Sequence, residues 1–452
     1  MHEPSCVEVN LSALDHNMAA IRRLVGPECK LCPIVKADAY GLGASRVARR
    51  LATAGADLVA VYSLPQAAEL GLGVGSSSEH SPAPLGVPVL VLMPVADIRR
   101  GDETSRMLMS GRLHLTIHDL AQCEALGAIA ERFATVIPVH LEVDTGLSRG
   151  GARPEEAARL LDRLAKDPRF VLKGVFTHFA SSRTDREATD AQLAIFDNLL
   201  TANAHALAED TDVHVASTYA LFRHRRYHRS MVRFGLAWAG FGLEELDGGE
   251  MELGDDLLRP CLRWRSRIVQ VKRIPAGTAV GYGSRWVAKR PSTIGLIPVG
   301  YADGFPVYRP DLTGPESSNA QPQRIAVLRE VARGARTEIV REFAPVIGAV
   351  NMDQITVDLT DLDLLTQRDG GVGLSVELVS PDPTAPNHLP RLAARSGMIP
   401  HEMLCRVHPK IPRIYSVDGI AAEDGTSEAT ATGEATGQRA ESRSGGGRAA
   451  VG

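Results

Sequence analysis

Chemistry-bearing side chains recur where the apolar segments of this chain end. Lys36 closes the run CPIVKA and is followed by Asp38, Tyr40 and Gly41. Arg149 follows VIPVHLEVD, His178 closes FVLKGVFTHF, Ser217 and Thr218 close VHVAST, and Arg233 precedes Gly235 in MVRFGLAWAGF. A lysine ending an apolar strand is costly to bury as a cation, so desolvation lowers its pKa and leaves a neutral amine able to form a Schiff base with an aldehyde. Arginines, small hydroxyls and a glycine suit a phosphate. Together these types suggest a phosphorylated cofactor held covalently. Taken singly, Lys36 also fits a lysine emerging into solvent, His178 a satisfied core histidine and Met352 ordinary core packing.

The elements that must position these groups are legible as a pattern. Between residues 31 and 241 eight short, β-branched apolar runs alternate with helix-like stretches: CPIVKA, DLVAVYS, VPVLVLMPV, LHLTIHD, VIPVHLEVD, FVLKGVFTHF, VHVAST and MVRFGLAWAGF. Near-continuous apolar strands joined by helices indicate parallel β covered on both faces, and eight in succession fit a (β/α)8 TIM barrel, with an open doubly wound sheet as the alternative. In such a barrel reactive groups gather at the C-terminal strand ends. In SALDHNMAAIRRLVG, Leu14, Met18, Ile21 and Leu24 fall at helical spacing behind Ser12, with Asp15 completing an approximate capping box. Pro154 suits the first turn of PEEAARLLDRLA.

After about residue 250 the texture becomes shorter strand-like runs with Gly, Pro and Asp turns: SRIVQVKRI, STIGLIPVGYA, APVIGAV, QITVDL and VELVS. We expect a barrel over 8–245, a mainly β domain over 246–417 and a disordered Gly/Ala/Ser/Thr/Glu-rich tail over 418–452. Residues 74–87 read as a polar loop, and a long insertion begins at 307–323.

The formal net charge of -4 over 452 residues favours neither nucleic acid nor an anionic membrane. No run approaches the roughly 18 apolar residues of a membrane span, and MHEPSCVEVN lacks a signal-peptide layout, so a cytoplasmic location is the expectation. The six cysteines do not form the framework of a short secreted domain. Cys29 and Cys32 stand as C-x-x-C without a matching second pair, so incidental spacing is the better reading and no metal is expected.

The segment Val35-Lys36-Ala37-Asp38-Ala39-Tyr40-Gly41-Leu42-Gly43 resembles the cofactor-lysine motif of the alanine racemases, written V-K-A-N/D-A-Y-G-H-G. HLEVDTGLSRGG from 140, GVFTHFASS from 174, MVRFGLA from 231, AGTAVGYGSRW from 276, IPVGYADGFP from 297 and VNMDQITVDL from 350 match in order, so the resemblance spans roughly residues 7 to 417. It implies a pyridoxal 5'-phosphate (PLP) binding barrel followed by a β domain, a homodimer, and interconversion of L- and D-alanine that supplies D-alanine for peptidoglycan. By the same resemblance Lys36 binds the cofactor and acts as one base, and Tyr282, reaching over from the partner subunit, is the opposed base that inversion needs. Arg233 hydrogen-bonds the pyridine nitrogen, which disfavours decarboxylation and transamination. Tyr40, Ser217, Thr218 and the backbone at Gly235 and Leu236 hold the phosphate, and His178 lies against the ring. Arg149 and the Met352 backbone take the substrate carboxylate, and Asp353 shapes the entrance.

Four positions depart from the family pattern. Glu142 replaces a carbamylated lysine that orients the substrate arginine, and its carboxylate is expected to serve Arg149. Ser217-Thr218 replaces an Asn-Ser pair, His401 replaces a tyrosine near the phosphate, and the 307–344 region is longer than usual. These leave alanine, serine and longer substrates open. Two other classes also remain: a basic amino-acid decarboxylase, which pairs the ring nitrogen with an acid, and a non-enzymatic PLP-binding protein, which has the barrel alone.

Overall fold

The computed structural model describes residues 4–72, 85–243, 251, 253–254, 257–307, 322–333, 336–362, 370–417 and 420–421. Most of the expected 418–452 tail, most of the 74–87 loop and part of the 307–344 region lie outside these residues; Ile420–Ala421, expected to be disordered, instead pair with the preceding Ser416 and Val417 as a short antiparallel strand.

The first strand, β1 (Cys6–Asn10), is followed by the eight strands of the barrel: β2 (Lys30–Pro33), β3 (Val59–Val61), β4 (Val89–Val91), β5 (Leu113–Ile117), β6 (Ile137–Glu142), β7 (Phe170–Phe176), β8 (Asp212–His214) and β9 (Met231–Phe234). Each apolar run read from the sequence overlaps one of them, although β2 and β8 begin one or two residues ahead of CPIVKA and VHVAST. From β3 to β8 neighbouring strands pair in parallel, and β9 pairs in parallel with β2. An Ile34–Ala60 bridge joins β2 to β3, and Arg233 N–H donates to Ala216 O beside β8, so the ring closes and the open-sheet alternative is excluded. Its strands are buried almost throughout, as expected of a sheet covered on both faces.

The helix Leu11–Val25 buries Leu14, Met18 and Ile21 as the spacing requires. Its cap is Asn10, whose side chain accepts from Ser12 N and Ala13 N, rather than Ser12. Asparagine is at least as good a cap, and ending β1 there lets the chain pass from strand to helix without a loop. Pro154 opens the helix Pro154–Leu164 as expected.

The second sheet comprises β1 with β10 (Leu262–Arg267), β11 (Gln270–Ile274), β14 (Ser292–Ile297), β15 (Arg324–Arg333), β16 (Arg336–Ile347), β17 (Ile355–Asp358), β18 (Ser375–Val379), β19 (Arg413–Val417) and β20 (Ile420–Ala421), while β12 (Ala279–Val280) and β13 (Trp286–Val287) form a separate ribbon. β1 runs antiparallel to β10 and parallel to β19, so the chain begins in the second sheet and then enters the barrel, carrying residues 8–10 of the span expected for the barrel with it. The described part of the 307–344 region is the long hairpin of β15 and β16. Two short helices, Leu389–Arg395 and Pro400–Arg406, precede β19, and the second packs against the turn after Lys36. No helix among the described residues is long and apolar enough to cross a membrane.

Candidate active site

A cavity of about 1170 Å³ opens at the C-terminal ends of the barrel strands and is lined by Lys36, Tyr40, Glu142, Arg149, His178, Ser217, Thr218, Arg233, Gly235 and His401 among others. The structure therefore gathers most of the residues singled out from the sequence. Four lie elsewhere in the single chain. Leu236 is fully buried behind the wall, and Tyr282, Met352 and Asp353 lie on the surface of the β domain.

Lys36 stands just past β2, after the bridging Ile34 and Val35, and is partly buried. Desolvation, with a contribution from the Arg149 guanidinium, lowers its pKa from the ordinary lysine value and favours the neutral amine. Ala37, Asp38, Ala39 and Tyr40 then all take positive φ, between 50° and 57°. Non-glycine residues cost on the order of 1–2 kcal/mol each in this region, so neighbouring contacts must hold the turn. It puts Lys36 and Tyr40 on one wall, where the Tyr40 ring stacks on Trp238 at 5.8 Å and meets His401 edge-on at 5.5 Å. Gly235 must be a glycine, because a Cβ there would lie 2.2 Å from the Tyr40 hydroxyl. Its N–H donates to Thr218 Oγ1 at 3.2 Å, so this donor, expected to be free for phosphate, already has a partner.

Arg233 is buried at the cavity floor, above the Phe176 ring. It donates through Nη1 to His214 Nδ1 at 2.8 Å and to His214 O at 2.7 Å, and through Nη2 to Thr177 O at 2.8 Å. Burial pulls its pKa down to about 10, which still leaves it a cation at neutral pH. Behind it His214 Nε2 meets His140 Nδ1 at 3.1 Å, and His140 Nε2 meets His114 Nδ1 at 3.1 Å. Arg233 can only donate, so His214 Nδ1 accepts and its Nε2 carries the hydrogen, which fixes the same tautomer at His140 in turn. Gly174 in β7 makes room for the chain, since a Cβ there would lie 2.4 Å from His140 Nδ1. Sequence reasoning missed these three histidines. Their signal was present: each sits inside an apolar strand, in LHLTI, VHLE and DVH.

Burial depresses these imidazoles, His114 to about 4 and His140 and His214 well below the usual value, and it takes His178 in the cavity to about 3. The unfolded chain then binds more protons than the folded one below about pH 6.5, so their contribution to stability is present above that pH and is lost as pH falls toward the depressed values. Each such group contributes up to about 1.4 kcal/mol per pH unit. Denaturant titrations should show stability falling between about pH 6.5 and 4, with a shallower slope in His114→Asn.

Glu142, at the end of β6, is also buried, but its partner is not Arg149. Its Oε2 lies 3.0 Å from His118 Nδ1, while His118 Nε2 faces Leu92 O at 3.1 Å. Leu92 O only accepts, so Nε2 carries the hydrogen of that contact and Nδ1 is the ring nitrogen that faces the carboxylate. Among the described residues Arg149 makes no hydrogen bond or ion pair with Glu142. This corrects the expectation of a direct link. The two are connected instead through the backbone of Gly150 and Gly151, which packs against Glu142. His118 had not been singled out, because an LTIHD strand end carries no distinguishing spacing.

Cys29 and Cys32 are buried free thiols, and desolvation pushes them up to about 11 and about 12. They are protonated and unreactive at neutral pH, as incidental spacing implies. Among the described residues no cluster could hold a metal ion.

Tyr282, Met352 and Tyr301 are 78%, 55% and 49% exposed. They share one face: Gly281 packs on Gly348 and Ala349, while Tyr301 N–H donates to Asn351 O and Ala302 N–H to Met352 O. Tyr282, Met352 and the adjacent Asp353, expected in the site but outside the cavity of the single chain, thus stand together on one exposed face.

A (β/α)8 barrel with a desolvated lysine at its first strand end, an arginine on its floor and a β domain closing one side defines a class of cofactor-binding barrel proteins. Residues 9–242 match the family described as alanine racemase, N-terminal domain, and residues 261–415 match alanine racemase, C-terminal domain. An alanine racemase of Desulfovibrio desulfuricans is 32% identical over 91% of this chain and 98% of its own length. The solved alanine racemase of Clostridium difficile 630 superposes with a TM-score of 0.74 at 25% identity, covering 94% of this chain and 98% of that one. A Bartonella henselae alanine racemase, described with covalently bound pyridoxal phosphate, has the same fold, with a TM-score of 0.68 at 24% identity over 92% of this chain and all of that one. The chain belongs to the alanine racemase family.

Proposed function

We propose that this chain is a PLP-dependent alanine racemase that works as a homodimer, with Lys36 and Tyr282 as opposed bases. The observation that carries this reading is a desolvated Lys36 amine in one cavity with the buried Arg233 cation. The cavity fits the cofactor: Lys36 offers an amine, Tyr40, Ser217, Thr218 and His401 offer polar atoms for a phosphate, and Gly235 keeps the wall open beside them. When bound, PLP supplies the electron sink that makes the substrate Cα–H acidic.

The chain's own residues do the rest. Lys36 takes or returns the Cα proton on one side. Arg233, locked by His214 and Thr177, would meet the pyridine nitrogen of a bound cofactor with a cation, an environment that disfavours protonation of that nitrogen and so loss of the substrate carboxylate. His178, held neutral by burial in the same cavity, would lie against the ring of the bound cofactor. Arg149 at the rim meets the substrate carboxylate. Tyr282 lies outside the cavity of its own chain, and the exposed face carrying Tyr282, Met352 and Asp353 supports completion of the site by Tyr282 of the partner subunit. Supply of D-alanine for peptidoglycan in the cytoplasm follows from this reading.

Arg233 also weighs against a decarboxylase, which needs an acid at that place. The distance of Tyr282 from the cavity favours a non-enzymatic PLP-binding protein only if no second copy completes the site. A panel of amino acids followed by chiral chromatography, beside a Lys36→Ala control, tests the proposal. Equilibration of alanine that disappears in the control supports it. Inversion of only serine or longer substrates would move the specificity to the departures at Glu142 and His401, and no inversion of any amino acid with PLP bound would refute it.

Glu142 packs against the Gly150–Gly151 backbone next to Arg149, so Glu142→Gln, which removes the buried carboxylate charge beside His118, should raise KM for alanine about tenfold. The change in kcat should stay within about threefold, the signature of lost ground-state positioning. Steady-state kinetics in both directions checks this.

A further inference from the structure

The left-handed turn that follows Lys36 is not held by the barrel alone. Inside it, Ala39 N–H donates to Val35 O, Gly43 N–H to Asp38 O, and Ala44 N–H to Asp38 Oδ1. Three of its outward carbonyl and glycine positions then meet the second domain. Arg413 Nε donates to Gly41 O at 2.9 Å, and its other nitrogens donate to Val407 O, His408 O and Ile411 O. One guanidinium thus ties the turn to the loop leading into β19. The Tyr415 hydroxyl donates to Leu42 O at 3.0 Å, with the Arg46 guanidinium over its ring. Gly43, at φ +91°, leaves that hydroxyl room: a Cβ there would lie 1.8 Å from it. Four consecutive non-glycine residues at positive φ persist only where neighbours over-determine them. The neighbours here include two side chains of β19, which bond the Gly41 and Leu42 carbonyls where the turn ends, beside the Pro400–Arg406 helix; β19 itself lies beside β1 in the second sheet.

We propose that Arg413 and Tyr415 are positioning residues for Lys36: they clamp the left-handed turn from outside the barrel and so hold the amine in its desolvated place. The inference rests on Lys36 being the aldehyde-binding amine, and it extends that reading to two residues that line no part of the cavity. The second domain then has a task within its own chain besides carrying Tyr282. Released from the clamp, the turn can relax toward ordinary φ values, which moves Lys36 toward solvent and its reactivity toward that of a free lysine.

The test uses the full chain with Tyr415→Phe, Arg413→Gln and the conservative Arg413→Lys, read by amide hydrogen exchange and by trapping of added PLP on Lys36 with borohydride. Tyr415→Phe removes one hydroxyl and keeps the ring, so it is expected to fold even if Arg413→Gln does not. Losing one hydrogen bond should speed exchange over residues 37–44 by about fivefold to tenfold while β4 to β6 stay unchanged. Trapping should slow by a similar factor, with its pH midpoint moved upward and partly restored in Arg413→Lys. Parental exchange over 37–44, or a parental trapping rate and midpoint, in Tyr415→Phe overturns the proposal. So does a loss spread evenly over the barrel, which marks a merely structural role. If the parental chain itself traps no PLP at Lys36, the functional reading fails, and the exchange measurement still decides whether β19 clamps the turn.

Discussion

Lys36→Ala is expected to abolish covalent retention of PLP and to lower alanine inversion by more than about a thousandfold in both directions, since it removes the amine and one of two bases together. The fold should survive. Lys36 is only partly buried, and no hydrogen bond or ion pair joins its side chain to the described residues. Removing it also relieves the desolvation cost that lowers its pKa. Thermal unfolding of the variant should therefore match or slightly exceed that of the parent, while borohydride trapping followed by peptide mass analysis finds no modified residue. Parental inversion by this variant would remove the lysine from the mechanism.

Tyr282→Phe should lower inversion by about a hundredfold to ten-thousandfold, the range for one general acid or base. Unlike the lysine variant it should keep parental cofactor trapping, because Tyr282 lies outside the cavity of its own chain. The ring is 78% exposed, so the loss of one hydroxyl should leave single-chain stability within about 0.5 kcal/mol. The loss need not be equal in the two directions. A base that serves one face only should slow exchange of the Cα proton of one enantiomer with solvent more than the other, and deuterium wash-in from L- and D-alanine measures this.

Much of the barrel was legible because its signal is local. Each strand is a short β-branched run, and the periodic burial of Leu14, Met18 and Ile21 follows from helix geometry alone. The lysine, arginine and hydroxyl positions were legible for a related reason: strand ends can be counted, and a parallel barrel brings its C-terminal ends together. Non-local pairing hid the rest. CVEVN reads as an ordinary strand, and nothing within it says that its partners are Leu262–Arg267 and Arg413–Val417. The left-handed turn was hidden because Ala37, Asp38, Ala39 and Tyr40 have no preference for positive φ, and what holds them is Arg413 and Tyr415 far along the chain. The partner of Glu142 was misassigned on the same ground, because the resemblance pointed to Arg149 and only three-dimensional packing brings in His118.

The central claim is that one chain's Lys36 works with the Tyr282 of the partner subunit, and subunit complementation tests it most directly. Lys36→Ala and Tyr282→Phe chains carrying different affinity tags would be co-expressed, and the mixed dimer purified through both tags. Each mixed dimer then holds one site with both parental residues and one with neither, so it should recover about half of the parental alanine inversion although each variant alone is nearly inactive. A mixed dimer as inactive as the two variants would place both residues within one chain's site, or remove Tyr282 from the chemistry, and would contradict the account.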